Sequence, residues 1–338
     1  MQMRTLWLAL MITAASANAW EGLPTTAAAP ADNPASVERI ELGKMLFFDP
    51  RFSSTGTVSC FSCHNVMEGG DDHRPTSIGV HGQKGGRNAP TVWNAAFNSV
   101  QFWDGRAATL EDQAKGPVVN PVEMGMSNLG AAIDRIAAIP GYKTYFDAAF
   151  GRGDSVTIDN AAKAIAAYER TLITPNSPYD RYVSGDTKAL SAAAVRGMKL
   201  FESTGCGSCH AGPAFNGPAL PVGTGFFMKF PTYPDAALVH KYDLESDQGR
   251  FVATGNDADK HMWRVPTLRN LVYTAPYFHN GAVKSLPEAV RLMAKLQLDK
   301  QLSADQVTDI VAFLESLTGT FPTQVMPRLP PTPGNLLE

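Results

Sequence analysis

The pentapeptide Cys-x-x-Cys-His occurs twice in this chain, at 60–64 and at 206–210. In this pattern two thiols can add to the vinyl groups of one porphyrin, and the histidine that follows can bind its iron as an axial ligand. A chain with two such sites is predicted to move electrons. The predicted attachment residues are Cys60, Cys63 and His64 for one haem c, and Cys206, Cys209 and His210 for the other.

Zinc and a redox-active dithiol are the alternative interpretations of these cysteines. A zinc ribbon places its cysteine pairs about fifteen to twenty residues apart, whereas Cys63 and Cys206 are far apart in the chain. Distant pairs can nevertheless share a metal. A thioredoxin-like dithiol needs one pair and no following histidine. Because both pairs here carry the histidine and no cysteine is left over, the sequence favours haem.

The start of the chain has the pattern of a secretory signal peptide. Arg4 precedes an apolar run over 6–15, and Ala17-Asn18-Ala19 follows as a cleavage site. This predicts a signal peptide at 1–19, a flexible leader at 20–36 and export, which fits the cysteines because c-type haems are attached after translocation. The apolar run is too short to span a bilayer, and no later stretch is long enough.

The charge of the chain is mixed and mildly acidic. Its 29 basic and 32 acidic residues give a formal net charge of −3. No basic block predicts a nucleic acid or an anionic membrane surface as partner. A net charge this small does not identify any other partner.

Two halves of the chain resemble each other in register. Pro90–Asn94 recurs 176 residues later as Pro266–Asn270, and Phe102–Gly105 recurs at the same offset as Phe278–Gly281. A similar phrase also precedes each haem motif, beginning at Gly43 and at Gly197. The repeat predicts two cytochrome c-like haem domains related by internal duplication. The predicted boundaries are 37–175 for the N-terminal domain, 176–320 for the C-terminal domain and 321–338 for a proline-rich tail.

The elements that position the motifs are predicted to be mostly α-helical. Apolar spacing predicts helices over 37–48, 130–150 and 159–173. Capping-box patterns predict two further helices that open at Ser285 and Ser303. Long glycine- and proline-rich loops, over 65–90 and 211–266, are placed to wrap the haem edges.

Two further segments contain residues that a simple electron carrier does not need. Trp103 lies in a dense aromatic, polar and glycine-rich phrase, and Glu123 lies in an apolar, proline-rigid loop over 116–124. A glutamate in such a loop tends towards a raised pKa and could shuttle protons. The residues alone leave open whether Trp103 is core filler and whether Glu123 is a solvated loop residue.

From about Glu41 to Gly319 the chain resembles the bacterial di-haem cytochrome c peroxidases of the periplasm. The phrases that carry this resemblance are Leu46–Arg51, Cys60–Asn65, Arg87–Thr91, Gln101–Arg106, Glu123-Met124, Thr274–His279 and Ile310–Leu314.

The resemblance implies different roles for the two haems. Peroxide would be cleaved at the N-terminal haem, and electrons would enter at the C-terminal haem, with Met293 as its second iron ligand. Glu123 would be the catalytic acid–base, Gln113 its companion in the peroxide pocket and Trp103 an electron relay between the haems.

The resemblance also implies one calcium ion between the domains, at Asn88, Thr274 and Pro276. Oxygen donors of this kind suit a hard cation. Many members of the family carry a histidine that binds the N-terminal haem iron at rest. Here Val80 occupies the expected place and His81 comes one residue late, so ligation by His81 is left open.

The implied activity is reduction of hydrogen peroxide to water, with a small c-type cytochrome or a cupredoxin as electron donor. A homodimer is a further implication. Two alternatives remain. One is a related di-haem oxidase that matures a protein-derived quinone cofactor, against which Met293 argues, since that branch has tyrosine there. The other is a di-haem electron carrier without catalysis.

Overall fold

The computed structural model describes residues 20–332, so the predicted signal peptide lies outside it. Helices dominate the described range, and one small antiparallel sheet pairs β1 (Phe227–Lys229) with β2 (Met262–Arg264). The N-terminal half contains α1 (Val37–Phe48), α2 (Cys60–Cys63), α3 (Leu110–Val119), α4 (Leu129–Ala137), α5 (Pro140–Phe150) and α6 (Ile158–Glu169). The C-terminal half contains α7 (Pro178–Val183), α8 (Ala192–Thr204), α9 (Ala236–Tyr242), α10 (Phe251–Thr254), α11 (Leu286–Leu298) and α12 (Ala304–Glu315).

Single 3-10 turns connect these helices. They lie at Pro50–Phe52, Val80–Gly82, Ala95–Phe97, Cys206–Ser208, Asp257–Asp259 and Leu271–Tyr273.

Each half is built on one close helix crossing. In the N-terminal half α1 packs across α6, and a Cβ atom on Gly43 would overlap with the carbonyl group of Ala164. In the C-terminal half α8 packs across α12, and a Cβ atom on Gly197 would overlap with the carbonyl group of Asp309. The repeated segment before each haem motif therefore contains the glycine at which two helix backbones come into contact.

The internal duplication is confirmed by the backbone. Asn94 and Asn270 both adopt the left-handed conformation, with φ of 64° and 63°. The bridge between Gln101 and Ala107 recurs 176 residues later between Tyr277 and Val283. The two halves meet at Thr174, whose Oγ1 accepts hydrogen bonds from Asn94 Nδ2 at 2.8 Å and Asn270 Nδ2 at 2.9 Å.

The predicted helices are present, with three differences. The predicted helix over 130–150 is two helices, because Pro140 begins α5 and holds Ile139 extended. Helix α6 ends at Glu169, short of the predicted end at residue 173. Helix α3 continues to Val119, so the first part of the predicted loop over 116–124 is helical.

The two capping boxes also differ from each other. Ser303 and Gln306 form the predicted box at the start of α12, with Ser303 N–H donating to Gln306 Oε1 at 2.9 Å. Helix α11 begins after Ser285 as predicted, but the Ser285 side chain makes no capping hydrogen bond.

The predicted flexible leader over 20–36 contains no helix or strand, but it packs against the protein. Trp20 contacts the aromatic rings of Tyr179 and Phe313 edge-on, at centroid distances of 6.2 and 6.1 Å. Leu23 is buried, and its N–H donates to Asp180 Oδ1 at 2.9 Å. Apolar burial and a hydrogen bond to a carboxylate hold this segment in place.

The tail is equally docked over its described part. Phe321 packs edge-on against Trp93 with ring centroids 4.9 Å apart, and Arg51 Nη1 donates to Pro330 O at 2.9 Å. The apolar cores of the two halves are separate clusters on either side of residue 175. The domain limits themselves stay predictions. No helix within residues 20–332 has the length and apolar character needed to cross a membrane.

Candidate functional site

The N-terminal haem motif forms one short helix beside a large cavity. Ser59 precedes the helix, and its backbone N–H donates to Ser62 Oγ at 3.0 Å. His64 closes the turn, with its N–H donating to Cys60 O at 2.9 Å. His64 Nδ1 lies 3.2 Å from Gly70 O, so the imidazole donates there and Nε2 remains free to bind iron.

The C-terminal motif repeats this arrangement on a 3-10 turn. His210 Nδ1 lies 3.0 Å from Phe215 O, which again leaves Nε2 free. Burial lowers the pKa of both histidines, so each imidazole is neutral, as an iron ligand must be.

The thiols fit haem attachment better than the alternatives. All four cysteines lie in the described range, and none forms a disulfide. Burial raises the pKa of Cys63 and Cys206 to about 11, the opposite of the lowered pKa of a reactive dithiol. The two pairs line different cavities, which does not support a shared zinc ion.

The cavity beside the N-terminal motif, called here the N cavity, brings together the residues predicted for peroxide chemistry. Cys60, Cys63 and His64 line it together with Glu123 and Gln113. Helix α3 presents one face to this cavity, at the spacing i, i+3, i+4 and i+7. The residues of that face are Leu110, Gln113, Ala114 and Pro117.

Glu123 is held by a tight turn that follows α3. Asn120 Oδ1 accepts a hydrogen bond from Val122 N–H at 3.1 Å, and Asn120 Nδ2 donates to Glu123 Oε1 at 2.7 Å. Burial raises the pKa of Glu123, opposed by the positive charge of Arg106 and by the Asn120 hydrogen bond. The carboxyl group is therefore oriented through Oε1, and Oε2 has no hydrogen-bond partner among the described residues.

A second cavity, called here the C cavity, lies beside the other haem motif. Cys206, Cys209 and His210 line it, and Met293 on α11 faces the same space. Its lining is mostly apolar, as a porphyrin requires.

Trp103 lines both cavities. Its indole Nε1 donates to Asn88 O at 2.9 Å, and its ring meets Trp263 edge-on with centroids 6.4 Å apart. Phe102, just before it, has a φ of 67°, so the backbone turns sharply at this point. This half-buried side chain therefore borders both of the cavities in which the haems are predicted to lie.

Comparison with known proteins agrees with this geometry. Residues 37–188 match the family described as di-haem cytochrome c peroxidase, and residues 194–318 match the cytochrome c family. The chain is 45% identical over 299 residues to cytochrome c551 peroxidase of Nitrosomonas europaea, which covers 88% of this chain and 85% of that protein. The chain belongs to the bacterial di-haem cytochrome c peroxidase family.

Other relatives support the same assignment of this di-haem peroxidase. Cytochrome c551 peroxidase of Pseudomonas aeruginosa is 47% identical over 298 residues, covering 88% of this chain and 83% of that protein. A solved structure, of a MauG-like protein associated with microbial copper homeostasis, has a TM-score of 0.76 at 29% identity. It covers 88% of this chain and 95% of its own.

Membership confirms the resemblance seen in the sequence. The protein is a cytochrome c peroxidase, an oxidoreductase that acts on peroxide with electrons from a redox partner. It carries two haems of the c type, whose attachment residues fit them as described above.

The peroxidase places His81 outside the N cavity. Val80 N–H donates to Glu123 O at 2.8 Å, and the Val80 side chain is buried in the N-terminal core. His81 follows with a φ of 57° and an exposed side chain. His73 is also exposed, with Nε2 2.8 Å from Glu68 Oε2. Ligation of the haem iron by His81 stays a prediction and requires this loop to rearrange.

The residues predicted for calcium lie together at the junction between the halves of the peroxidase. Asn88, Thr274 and Pro276 all line the C cavity. Asn88 Nδ2 donates to Arg74 O at 2.9 Å, which leaves Oδ1 as a possible oxygen donor. Calcium at this place stays a prediction.

Two residues of the peroxidase were missed in the sequence. Glu169 lines the N cavity, and burial raises its pKa to about 8. Arg264 is buried and lines both cavities. Glu169 had a signal, since it is an acidic residue at the end of an alanine-rich helix, most of whose residues are buried. Arg264 had none, because its position depends on contacts with a loop far away in the chain.

Proposed function

We propose that this peroxidase reduces hydrogen peroxide to two molecules of water in the periplasm, with electrons from a small c-type cytochrome or a cupredoxin. The observation that carries the proposal is the shared N cavity, which Glu123 and Gln113 line together with His64. The signal-peptide pattern at 1–19 supports export. The reaction consumes one hydrogen peroxide, two electrons and two protons.

The protein's own residues supply the proton path. When bound, the N-terminal haem supplies the iron at which the O–O bond is cleaved, and the C-terminal haem supplies electrons. Glu123 Oε2 accepts a proton from one peroxide oxygen and returns it to the other, so that the second oxygen leaves as water. Asn120 fixes Oε1 during this transfer. Gln113 provides a second polar group that orients peroxide.

Electrons would pass between the cavities at Trp103. Its ring lines both spaces, and the hydrogen bond to Asn88 O fixes its orientation. Asn88 would also bind calcium, together with the backbone oxygens of Thr274 and Pro276. Such an ion would therefore stabilise the same segment that holds the indole.

Met293 is proposed as the second iron ligand at the C-terminal haem. The variant Met293→Leu is expected to lose the spectrum of a His/Met haem and to lower the potential of that haem, because thioether ligation raises it. Optical spectra and a redox titration of holo-protein measure both effects. Met228→Leu is a matched control, since Met228 lines the same cavity. Unaltered spectra in Met293→Leu would remove this assignment.

The activity is tested by the oxidation of reduced small cytochrome c by hydrogen peroxide. Holo-protein is assayed before and after mild ascorbate reduction, with calcium present. Turnover only after reduction is expected if a histidine blocks the N cavity at rest, and His81→Ala would then remove the requirement. Turnover from the start fits the exposed position of His81. Absence of turnover with several donors in both states would overturn the proposal and favour quinone-cofactor maturation or electron carriage.

A further inference from the structure

Arg264 lies at the point where the two cavities meet. It is the last residue of β2 and is only 6% exposed. Its backbone N–H donates to Trp103 O at 2.9 Å. Its side chain lines the N cavity and the C cavity. No role for this residue followed from the haem motifs or from the proton path.

Within residues 20–332 no carboxylate pairs directly with Arg264. The nearby Asp104 acts on its charge only through space and already pairs with Arg87 and Arg106. Arg264 Nε donates to Phe102 O at 3.0 Å, and its Nη1 donates to Asn98 Oδ1 at 3.2 Å and Val265 O at 3.3 Å. All three acceptors are neutral. Within residues 20–332 its Nη2 has no hydrogen-bond partner and its guanidinium forms no ion pair.

Two other arginines, Arg269 and the half-buried Arg87, have the paired carboxylate that Arg264 lacks. Arg269 is fully buried and pairs with Asp180 at 2.8 Å. Arg87 pairs with Asp104 and Asp247, each at 2.6 Å. Burial lowers the pKa of Arg264 to about 10, so the group is still ionised at neutral pH. A buried charge without a directly paired counter-ion is costly, so an anion bound beside Arg264 would stabilise it.

The cofactors can supply that anion. Each haem carries two propionate groups, which are ionised at neutral pH. We propose that Arg264 is a shared counter-ion that binds propionates of both haems at the junction of the two cavities. Guanidinium groups bind carboxylates through paired N–H donors, and Nη2 is the donor that the protein leaves available.

This role has an electrostatic consequence. A reduced haem carries one positive charge fewer than an oxidised haem, so a nearby cation favours the reduced state and raises its potential. A cation shared by both haems raises both potentials together. A purely structural Arg264 would hold the loop over 98–103 to β2 and leave the potentials unchanged. The inference needs two bound haems and does not depend on peroxide chemistry.

The test is a spectroelectrochemical titration of holo-protein. In Arg264→Gln both haem potentials are expected to fall, and in Arg264→Lys, which keeps the charge, both are expected to lie closer to the wild type. Arg250→Gln is the matched control. Arg250 donates to Asp104 O at 2.7 Å in the same region but lines neither cavity. Unchanged potentials in Arg264→Gln, a shift at one haem only, or an equal shift in Arg250→Gln would each overturn the proposal.

A second measurement covers the case in which Arg264→Gln does not fold. Pyridine haemochrome spectra count the haems per chain and separate loss of cofactor from loss of the counter-ion. Resonance Raman bands of propionate bending are then compared between wild type and Arg264→Lys, with the C-terminal haem selectively reduced so that each haem is seen. Shifted bands at both haems support the shared contact, and unshifted bands contradict it.

Discussion

Replacing Glu123 with Gln is expected to lower the turnover number for hydrogen peroxide by about a hundredfold to ten-thousandfold, the usual effect of losing a general acid–base. Glutamine has nearly the same shape and can still accept the hydrogen bond from Asn120, but it cannot take up a proton at Oε2. Steady-state oxidation of reduced cytochrome c by peroxide measures the effect. Two haems per chain and unaltered haem spectra would show that the site is intact.

The pH profile gives this prediction a second readout. Glu123 must be deprotonated to take up the first proton, and burial raises its pKa above the ordinary value of 4.5. The rate constant kcat/KM is therefore expected to fall as the pH drops through a value above 4.5, and Glu123→Gln should lose this limb. Glu68→Gln is the control, because the Glu68 side chain is exposed and, within residues 20–332, its carboxylate pairs only with the surface residue His73. Full turnover in Glu123→Gln would be incompatible with the assigned role.

Replacing Gly43 with Ala is expected to destabilise the N-terminal half by about 3 kcal/mol, the upper end of the range for overpacked cores. The added methyl group would overlap with the backbone carbonyl of Ala164 at the crossing of α1 and α6. A change of rotamer cannot relieve a clash with backbone, so the two helices must move apart and lose buried contacts.

Guanidinium chloride unfolding of holo-protein, followed by circular dichroism, measures this loss as a lower midpoint. Gly86→Ala is the control, since a Cβ atom at Gly86 would meet nothing within 4 Å. Equal midpoints for the two variants would mean that the crossing has room for a methyl group. The corresponding position in the C-terminal half is Gly197.

Local patterns in the sequence predicted the local structure well. The limits of α1 and the capping box at Ser303 agree with the structure, because apolar spacing and side-chain caps act within a few residues. The break before α5 was missed although Pro140 was visible. The apolar pattern continues across this break, and apolar periodicity does not show that a proline lacks the backbone N–H that a continuous helix would need.

The site was predictable where it depends on motif and resemblance. Glu123, Gln113 and Trp103 line the cavity beside His64, as expected of residues placed there by family membership. The side on which His81 lies depends on how the preceding loop packs. A Cβ atom on Gly79 would overlap with backbone of the Glu123 turn, which fixes Val80 inwards and His81 outwards. Such tertiary contacts produce no periodic pattern in the sequence, so the orientation of His81 could not be predicted from it.

The hydroxyl of Thr174 makes the C-terminal half depend on the N-terminal half. The amides of Asn94 and Asn270 occupy equivalent positions in the duplicated halves, yet both donate to this one buried oxygen. Thr174 N–H in turn donates to Asn94 Oδ1 at 2.9 Å. Separating the chain at this junction would leave one amide without its acceptor. The C-terminal half is therefore not an independent module, because a residue of the N-terminal half supplies the acceptor for its buried Asn270 amide.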